Sequence, residues 1–283
     1  MKIGIHLSSY TKDWSDDGLG FISHAAQTGY QAVELPLMFP ECYDVWRAKR
    51  LLKEYHMECT CGTGVNAVED PSSADEEIRG RGAARLKKCI QIAAELGADC
   101  LGGVLYTPWG MRKPRAEAVE NYKWAEESIR TAADYAKKYG ITLSLEILNR
   151  YESYFMNTVE EGLQFLEKVS RDNVKLHFDT FHAYIEECDI RGAILKGGKQ
   201  IFHVHLCDNN RSAPGTGRVP FQEIKEALRE IDYHRYLMVE NFILPNTEAG
   251  NESCIWRENR ADVYQNAEAA YAYVKRLFDE ECS

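Results

Sequence analysis

The sequence predicts an α/β protein: eight parallel strands and their helices closed into a (β/α)8 TIM barrel. Three observations carry that expectation. Short apolar segments alternate with helix-length amphipathic segments from end to end, and strands joined by helix-length crossovers form a parallel sheet. The alternation repeats eight times in 283 residues, close to the ~250 that such a barrel takes. No G-x-G-x-x-G fingerprint follows the first strand, which argues against an open dinucleotide-binding sheet. With no linker or low-complexity tract, one domain over residues 1–283 is expected.

The predicted elements run as follows. Lys2–Ser8 is the first strand and Leu19–Thr28 the first helix. Ala32–Leu37 is the second strand, followed by a helix over Tyr43–His56. Met57–Gly62 is the third strand, and Asp75–Leu96 a long helix stopped by Gly97. Cys100–Tyr106 is the fourth strand, and Pro114–Tyr139 a helix stopped by Gly140. The fifth strand begins at Thr142 in the stretch TLSLEILNRYE, with a helix predicted over Asn157–Ser170. Val174–Asp179 is the sixth strand, followed by a short helix at Ile190–Lys196. Gln200–Leu206 is the seventh, and the helix Pro220–Ile231 has proline suited to its first turn. Tyr236–Glu240 is the eighth, and a helix over Glu258–Phe278 closes the chain. The long connections, Leu148–Met156, Thr180–Asp189, Asp208–Val219 and Asn241–Arg257, all follow the last four strands. That is the face on which a barrel of this kind carries its chemistry.

Side chains alternate along a strand. In the fifth strand Leu143, Leu145 and Ile147 fall on one face and Thr142, Ser144 and Glu146 on the other. The same design recurs downstream: Lys175, His177 and Asp179 share a face, as do Ile201, His203 and His205, and Tyr236, Met238 and Glu240. Glu146, Asp179, His205 and Glu240 therefore point inward at the ends of four successive strands. Three carboxylates at one rim repel one another, and a divalent cation resolves that repulsion. Three oxygen ligands and one imidazole suit Mn²⁺ best, with Co²⁺ or Mg²⁺ as alternatives, rather than a structural zinc. Glu152, His182 and Arg211 follow those strands closely enough to line the same mouth.

Composition narrows the class. A formal net charge of −10 argues against nucleic acid or an anionic membrane surface as partner. No run approaches the ~18 apolar residues of a membrane span, and the N-terminus passes straight into a strand without a secretory leader pattern. Nine scattered cysteines read as reduced thiols of a cytoplasmic protein. Cys59 and Cys61 share one strand face with no second pair nearby, and read as packing rather than as a zinc site.

Four segments carry a resemblance: LEILNRYESYFMNT (Leu145–Thr158), LHFDTFHAYIEE (Leu176–Glu187), HVHLCDNNRSAPGTGRVP (His203–Pro220), and VENF with IWRE (Val239–Phe242, Ile255–Glu258). They resemble the ketose 3-epimerases, the D-tagatose 3-epimerase and D-allulose (psicose) 3-epimerase group of the xylose isomerase-like barrels. The resemblance spans essentially the whole chain and is weaker before residue 100. It implies that Glu146, Asp179, His205 and Glu240 hold the metal, and that Glu152, His182 and Arg211 contact the sugar. It further implies that Trp14 and Trp109 wall the pocket, and that the enzyme is a homodimer or homotetramer acting on a free ketose. Departures lie at the sugar's distal end. His6 stands where the family usually has an aromatic residue, Gly62 where relatives are bulkier, and Asn241 where proline usually follows the last ligand.

Inverting C3 of a ketose requires loss of a proton beside a carbonyl, with a metal polarising that carbonyl and stabilising the enediolate. Glu146 and Glu240 are the expected pair of bases, one on each face. Glu152 and His182 would hydrogen-bond around O1 and O2, and Arg211 would orient the substrate or hold Glu152. The alternatives are an aldose–ketose or hydroxypyruvate-type isomerase on the same barrel, a barrel nuclease, and a sugar-binding protein without catalysis. A phosphorylated sugar would need an anion site, for which Arg211 and Gly215–Gly217 are the candidates.

Overall fold

In the computed structural model, residues 1–279 are described; the last four residues of the expected 1–283 domain lie outside them. Eight strands pair side by side, all parallel, and the last closes onto the first. They are β1 (Lys2–His6), β2 (Ala32–Pro36), β3 (Glu58–Gly64), β4 (Cys100–Val104), β5 (Thr142–Glu146), β6 (Val174–Asp179), β7 (Ile201–Leu206) and β8 (Tyr236–Val239). The helices outside are α1 (Ile22–Thr28), α2 (Val45–Glu54), α3 (Glu76–Leu96), α4 (Val119–Ala136), α5 (Val159–Val169), α6 (Thr180–Glu186), α7 (Ile190–Gly197), α8 (Phe221–Glu230), α9 (Glu248–Glu252) and α10 (Val263–Asp279). The predicted barrel is thus the observed one.

Strand parity decides the layers. Leu143, Leu145, Leu176, Phe178, Val204, Leu206, Leu237 and Val239 are buried in the apolar core. The alternate positions turn into the barrel and carry the polar groups. Cys59 and Cys61 are buried members of that core, as packing predicts. Between Leu176 and His177 the β6–β7 register shifts, and past it His177 lies opposite His203 and Asp179 opposite His205. This irregularity lines up the inward faces of the two strands.

Local chemistry explains where element boundaries differ from expectation. The fifth strand ends at Glu146 because the chain turns at Asn149: its carbonyl accepts from the amides of Glu152 and Ser153, and its Oδ1 from that of Tyr151. The connection expected over Thr180–Asp189 contains α6, nucleated by Asp179, whose Oδ1 accepts from the amides of Phe181 (2.6 Å) and His182 (3.1 Å). Within Asn241–Arg257 the Thr247 hydroxyl caps α9 through the Gly250 amide. The last helix begins at Val263 rather than Glu258, behind Asp262, which accepts from the Gln265 amide. Among the described residues no helix is long and apolar enough to cross a membrane.

Candidate active site

Glu146 and Asp179 end β5 and β6, His205 is the penultimate residue of β7, and Glu240 follows β8 directly. Each offers one ligand atom, and the four atoms all lie within 4.8 Å of one another. All four residues are buried. Asp179 spends Oδ1 on the start of α6, which leaves Oδ2 buried without a hydrogen-bond partner. His205 Nδ1 is equally orphaned: it stands 3.4 Å from Glu240 Oε1 and 3.9 Å from Asp179 Oδ2, at ion-pair distance without an aligned hydrogen bond. Buried polar atoms are normally paired. Three acids and an imidazole converging on one point with orphaned atoms fit a divalent cation of oxygen-preferring type.

The electrostatics agree. Burial, then the charges of Glu240 and Asp179, pushes the Glu146 carboxyl well above the usual range. Burial opposes ionisation of Glu240 too, but the adjacent His205 outweighs it and holds that carboxyl at about 2. Burial alone would discharge His205; Glu240 and Glu34 reverse this and raise it well above an ordinary imidazole. Without a cation the cluster thus biases Glu146 toward its neutral form and His205 toward its charged form, which relieves repulsion among the acids.

A second ring surrounds this cluster. Glu152 accepts from Trp109 Nε1 (2.9 Å), Asn149 Nδ2 (2.9 Å) and Arg211 Nη2 (3.3 Å). Arg211 also reaches Glu240 Oε2 at 3.3 Å, and its guanidinium lies 3.9 Å from the centre of the Phe181 ring. It therefore does hold Glu152, one of its two expected roles. Arg211 sits at a φ of 62°, a left-handed conformation that its neighbours must impose. His182 Nδ1 faces the Asn149 side-chain amide (2.8 Å) and backbone N–H (3.2 Å), so Nε2 carries the ring proton and lies 3.7 Å from Glu146 Oε1.

The opposite wall is smaller and less charged. Trp14 meets Trp109 edge-on at 5.6 Å and Phe242 at 5.8 Å. Trp14 Nε1 donates to Glu252 (2.7 Å), its amide to Glu248 (3.1 Å), and the Ala249 amide to the Lys12 carbonyl (3.0 Å), which bridges the seam between β8 and β1. His6 Nδ1 accepts from the Ser8 amide, leaving Nε2 toward the cavity. Gly62 leaves no void: a Cβ there would come within 2.6 Å of Glu34 Oε1 and 3.2 Å of His6 Nε2. The loop proposed for a phosphate is occupied, since the amides of Gly215 and Gly217 both donate to Asp208 Oδ2.

Sequence reasoning missed Glu34, His177 and His203 as site residues. Glu34 is 1% exposed and accepts from His203 Nε2, His205 Nε2 and Thr60. Burial raises it, but His203 and His205 outweigh that and hold it well below the carboxylate range. His177 is packed against the rings of both histidines, with neither nitrogen bonded. Their signal was inward parity, which reading the strand ends alone passes over.

Comparison with known proteins adds the following. The profile of the xylose isomerase-like TIM barrel family matches residues 22–262. The chain is 34% identical over 281 residues to L-ribulose 3-epimerase of Methylomonas sp. (strain DH-1), covering 98% of each chain. It is 33% identical to D-psicose 3-epimerase of Ruminiclostridium cellulolyticum, covering 93% of this chain and 92% of that one. The crystal structure of D-allulose 3-epimerase from Methylomonas sp. in complex with D-allulose superposes with a TM-score of 0.92 at 34% identity, covering 98% of this chain and 97% of that one.

Proposed function

This chain belongs to the ketose 3-epimerases of the xylose isomerase-like TIM barrel family, enzymes that epimerise ketoses at C3, and from that premise we propose how its own residues do so. The proposed substrates are free ketoses of the D-tagatose, D-fructose and D-allulose type. The observation that carries the reading is the convergence of Glu146 and Glu240 from β5 and β8, both buried, on a point they share with Asp179 Oδ2 and His205 Nδ1.

Inversion needs one group to remove the C3 proton and another, on the opposite face, to return one. Glu146, at the end of β5, and Glu240, directly after β8, fill these roles, and ligation to a cation would keep both ionised. A divalent cation held by Glu146, Asp179, His205 and Glu240 would polarise the C2 carbonyl and stabilise negative charge developing on the substrate oxygens. Mn²⁺ is the proposed ion, with Co²⁺ or Mg²⁺ as alternatives. Glu152, fixed by three donors, accepts from hydroxyls at the C1–C2 end, and His182 Nε2–H donates there. Arg211 keeps Glu152 and Glu240 at a set separation. Trp14 and Trp109 exclude water beside the sugar carbons, while His6 and Gly62 shape the distal end.

The proposed assembly is a homodimer or homotetramer, for which the exposed Phe39, Trp46, Tyr151 and Trp256 offer apolar surface. The proposed location is the cytoplasm, supported by unpaired thiols throughout the described residues. A single domain over 1–283 is the proposed organisation.

Turnover in D₂O tests the reaction. Deuterium at C3 of the product, with C1 unlabelled, is the expected result. Label at C1, or none, would replace this reading with an aldose–ketose isomerase.

A further inference from the structure

We propose that Glu34, on β2 and across the barrel from β7, is a positioning residue: it fixes His205 in its Nε2–H tautomer and so aims the Nδ1 lone pair at the space between Asp179 and Glu240. This rests on the cation reading of the four-residue cluster.

The geometry assigns the tautomer. Glu34 Oε2 lies 2.5 Å from His203 Nε2, 3.1 Å from His205 Nε2 and 3.2 Å from Thr60 Oγ1. A carboxylate oxygen accepts and does not donate, so each imidazole nitrogen facing it carries a hydrogen. The neutral His205 ring then has one lone pair, on Nδ1, the buried atom without a partner that faces Asp179 Oδ2 and Glu240 Oε1. The opposite tautomer would set a lone pair against Glu34, an uncompensated pair of buried acceptors.

The carboxylate has little freedom to swing. Three donors converge on one oxygen, and the other oxygen is backed by β3, where any side chain at Gly62 would collide with it. His203, fully buried beneath His205, anchors Glu34 from the barrel floor. A metal-ligating histidine commonly gives its second N–H to a carboxylate, and loss of that partner typically weakens metal binding 10–100-fold.

The test titrates purified, folded Glu34→Gln with Mn²⁺ alone, reading free Mn²⁺ by electron paramagnetic resonance, beside the wild type and Asp179→Ala. The expected result is a 10–100-fold rise in Kd for Glu34→Gln, with ketose epimerisation largely restored at saturating Mn²⁺. A purely structural role would lower the melting temperature of the metal-free protein and leave Kd unchanged. A Kd within twofold of wild type, with binding lost in Asp179→Ala, overturns the role of Glu34 alone. Wild-type binding by Asp179→Ala overturns the cluster reading and this proposal with it. Should Glu34→Gln not fold, the Mg²⁺-loaded wild type labelled with ¹⁵N-histidine decides, with His205→Asn and His203→Asn assigning the signals. A proton on His205 Nε2 supports the proposal, and one on Nδ1 overturns it.

Discussion

The two halves of the barrel mouth are built from opposite materials. β5 to β8 deliver Glu146, Asp179, His205 and Glu240, all buried and all within reach of one point. β1 to β4 deliver Gly62, Gly64, Gly102 and Gly103, with Glu34 set deeper and turned toward the other half. A full ring of acids would repel itself beyond what one cation could settle, and would leave no room for a substrate. In the proposed reaction half a ring concentrates charge beside the reacting carbon, while the glycines opposite sit close against Glu34, His6 and Thr63, and Trp14 and Trp109 wall the cavity.

Breaking the charged half should have the largest effect. Asp179→Ala removes an orphaned ligand oxygen and the cap of α6 together. It should lose bound metal, measured by elemental analysis, and activity with it. Full turnover by a rigorously metal-free wild-type preparation would undo the contrast altogether. Replacing Glu146 or Glu240 by glutamine keeps size and an oxygen while removing the proposed base. Epimerisation should fall by about 10²–10⁴ in each variant, and wild-type rates in both would move the proton transfers elsewhere.

The small-residue half should respond more mildly. His6→Phe deletes one donor toward the cavity, so KM for a ketohexose should rise about three- to tenfold, the worth of one neutral hydrogen bond. Turnover at saturation should hold, and a hundredfold loss of kcat would place His6 among the reacting groups. The smallest effect concerns the joint between the halves. Burial would raise Glu152, but Arg211 and then His182 outweigh it, so its carboxyl lies below the ordinary range. A depressed carboxyl stabilises above its unfolded value, and that contribution disappears as pH falls through the lower folded one. Glu152→Gln should therefore lower the melting temperature near neutrality, and the gap to wild type should close below about pH 4. A gap independent of pH would mean that Glu152 acts by packing.

The charged half was the more legible in sequence. Period-two parity is local, and it put Glu146, Asp179, His205 and Glu240 on inward faces before any strand was paired. Arg211 holding Glu152 was one of two roles open to it, and the ion pair between them forms across adjoining loops. The inward parity of Glu34 was legible but its role was not, because that depends on β2 lying across from β7, which only closure of the barrel establishes. α6 was missed because its start is an acid expected to spend itself on a cation; Asp179 uses one oxygen for the helix and keeps the other for the cluster. The turn after Glu146 was hidden in an apolar run, where the Asn149 side chain ends the strand by bonding to nearby backbone.

The bridge over the seam has a consequence for dynamics. The Lys12–Trp14 segment and α9 meet through three hydrogen bonds, two of them from Trp14 to exposed carboxylates and one from the Ala249 amide to the Lys12 carbonyl. Contacts of this kind open at low free energy, well below the unfolding of β1 and β8 beneath them. In a hydrogen-exchange experiment the amides of Trp14 and Ala249 should exchange together, early and separately from the strands. A ketose resting against Trp14 should slow both at once, so the protection of two loop amides becomes a readout of how long the sugar stays.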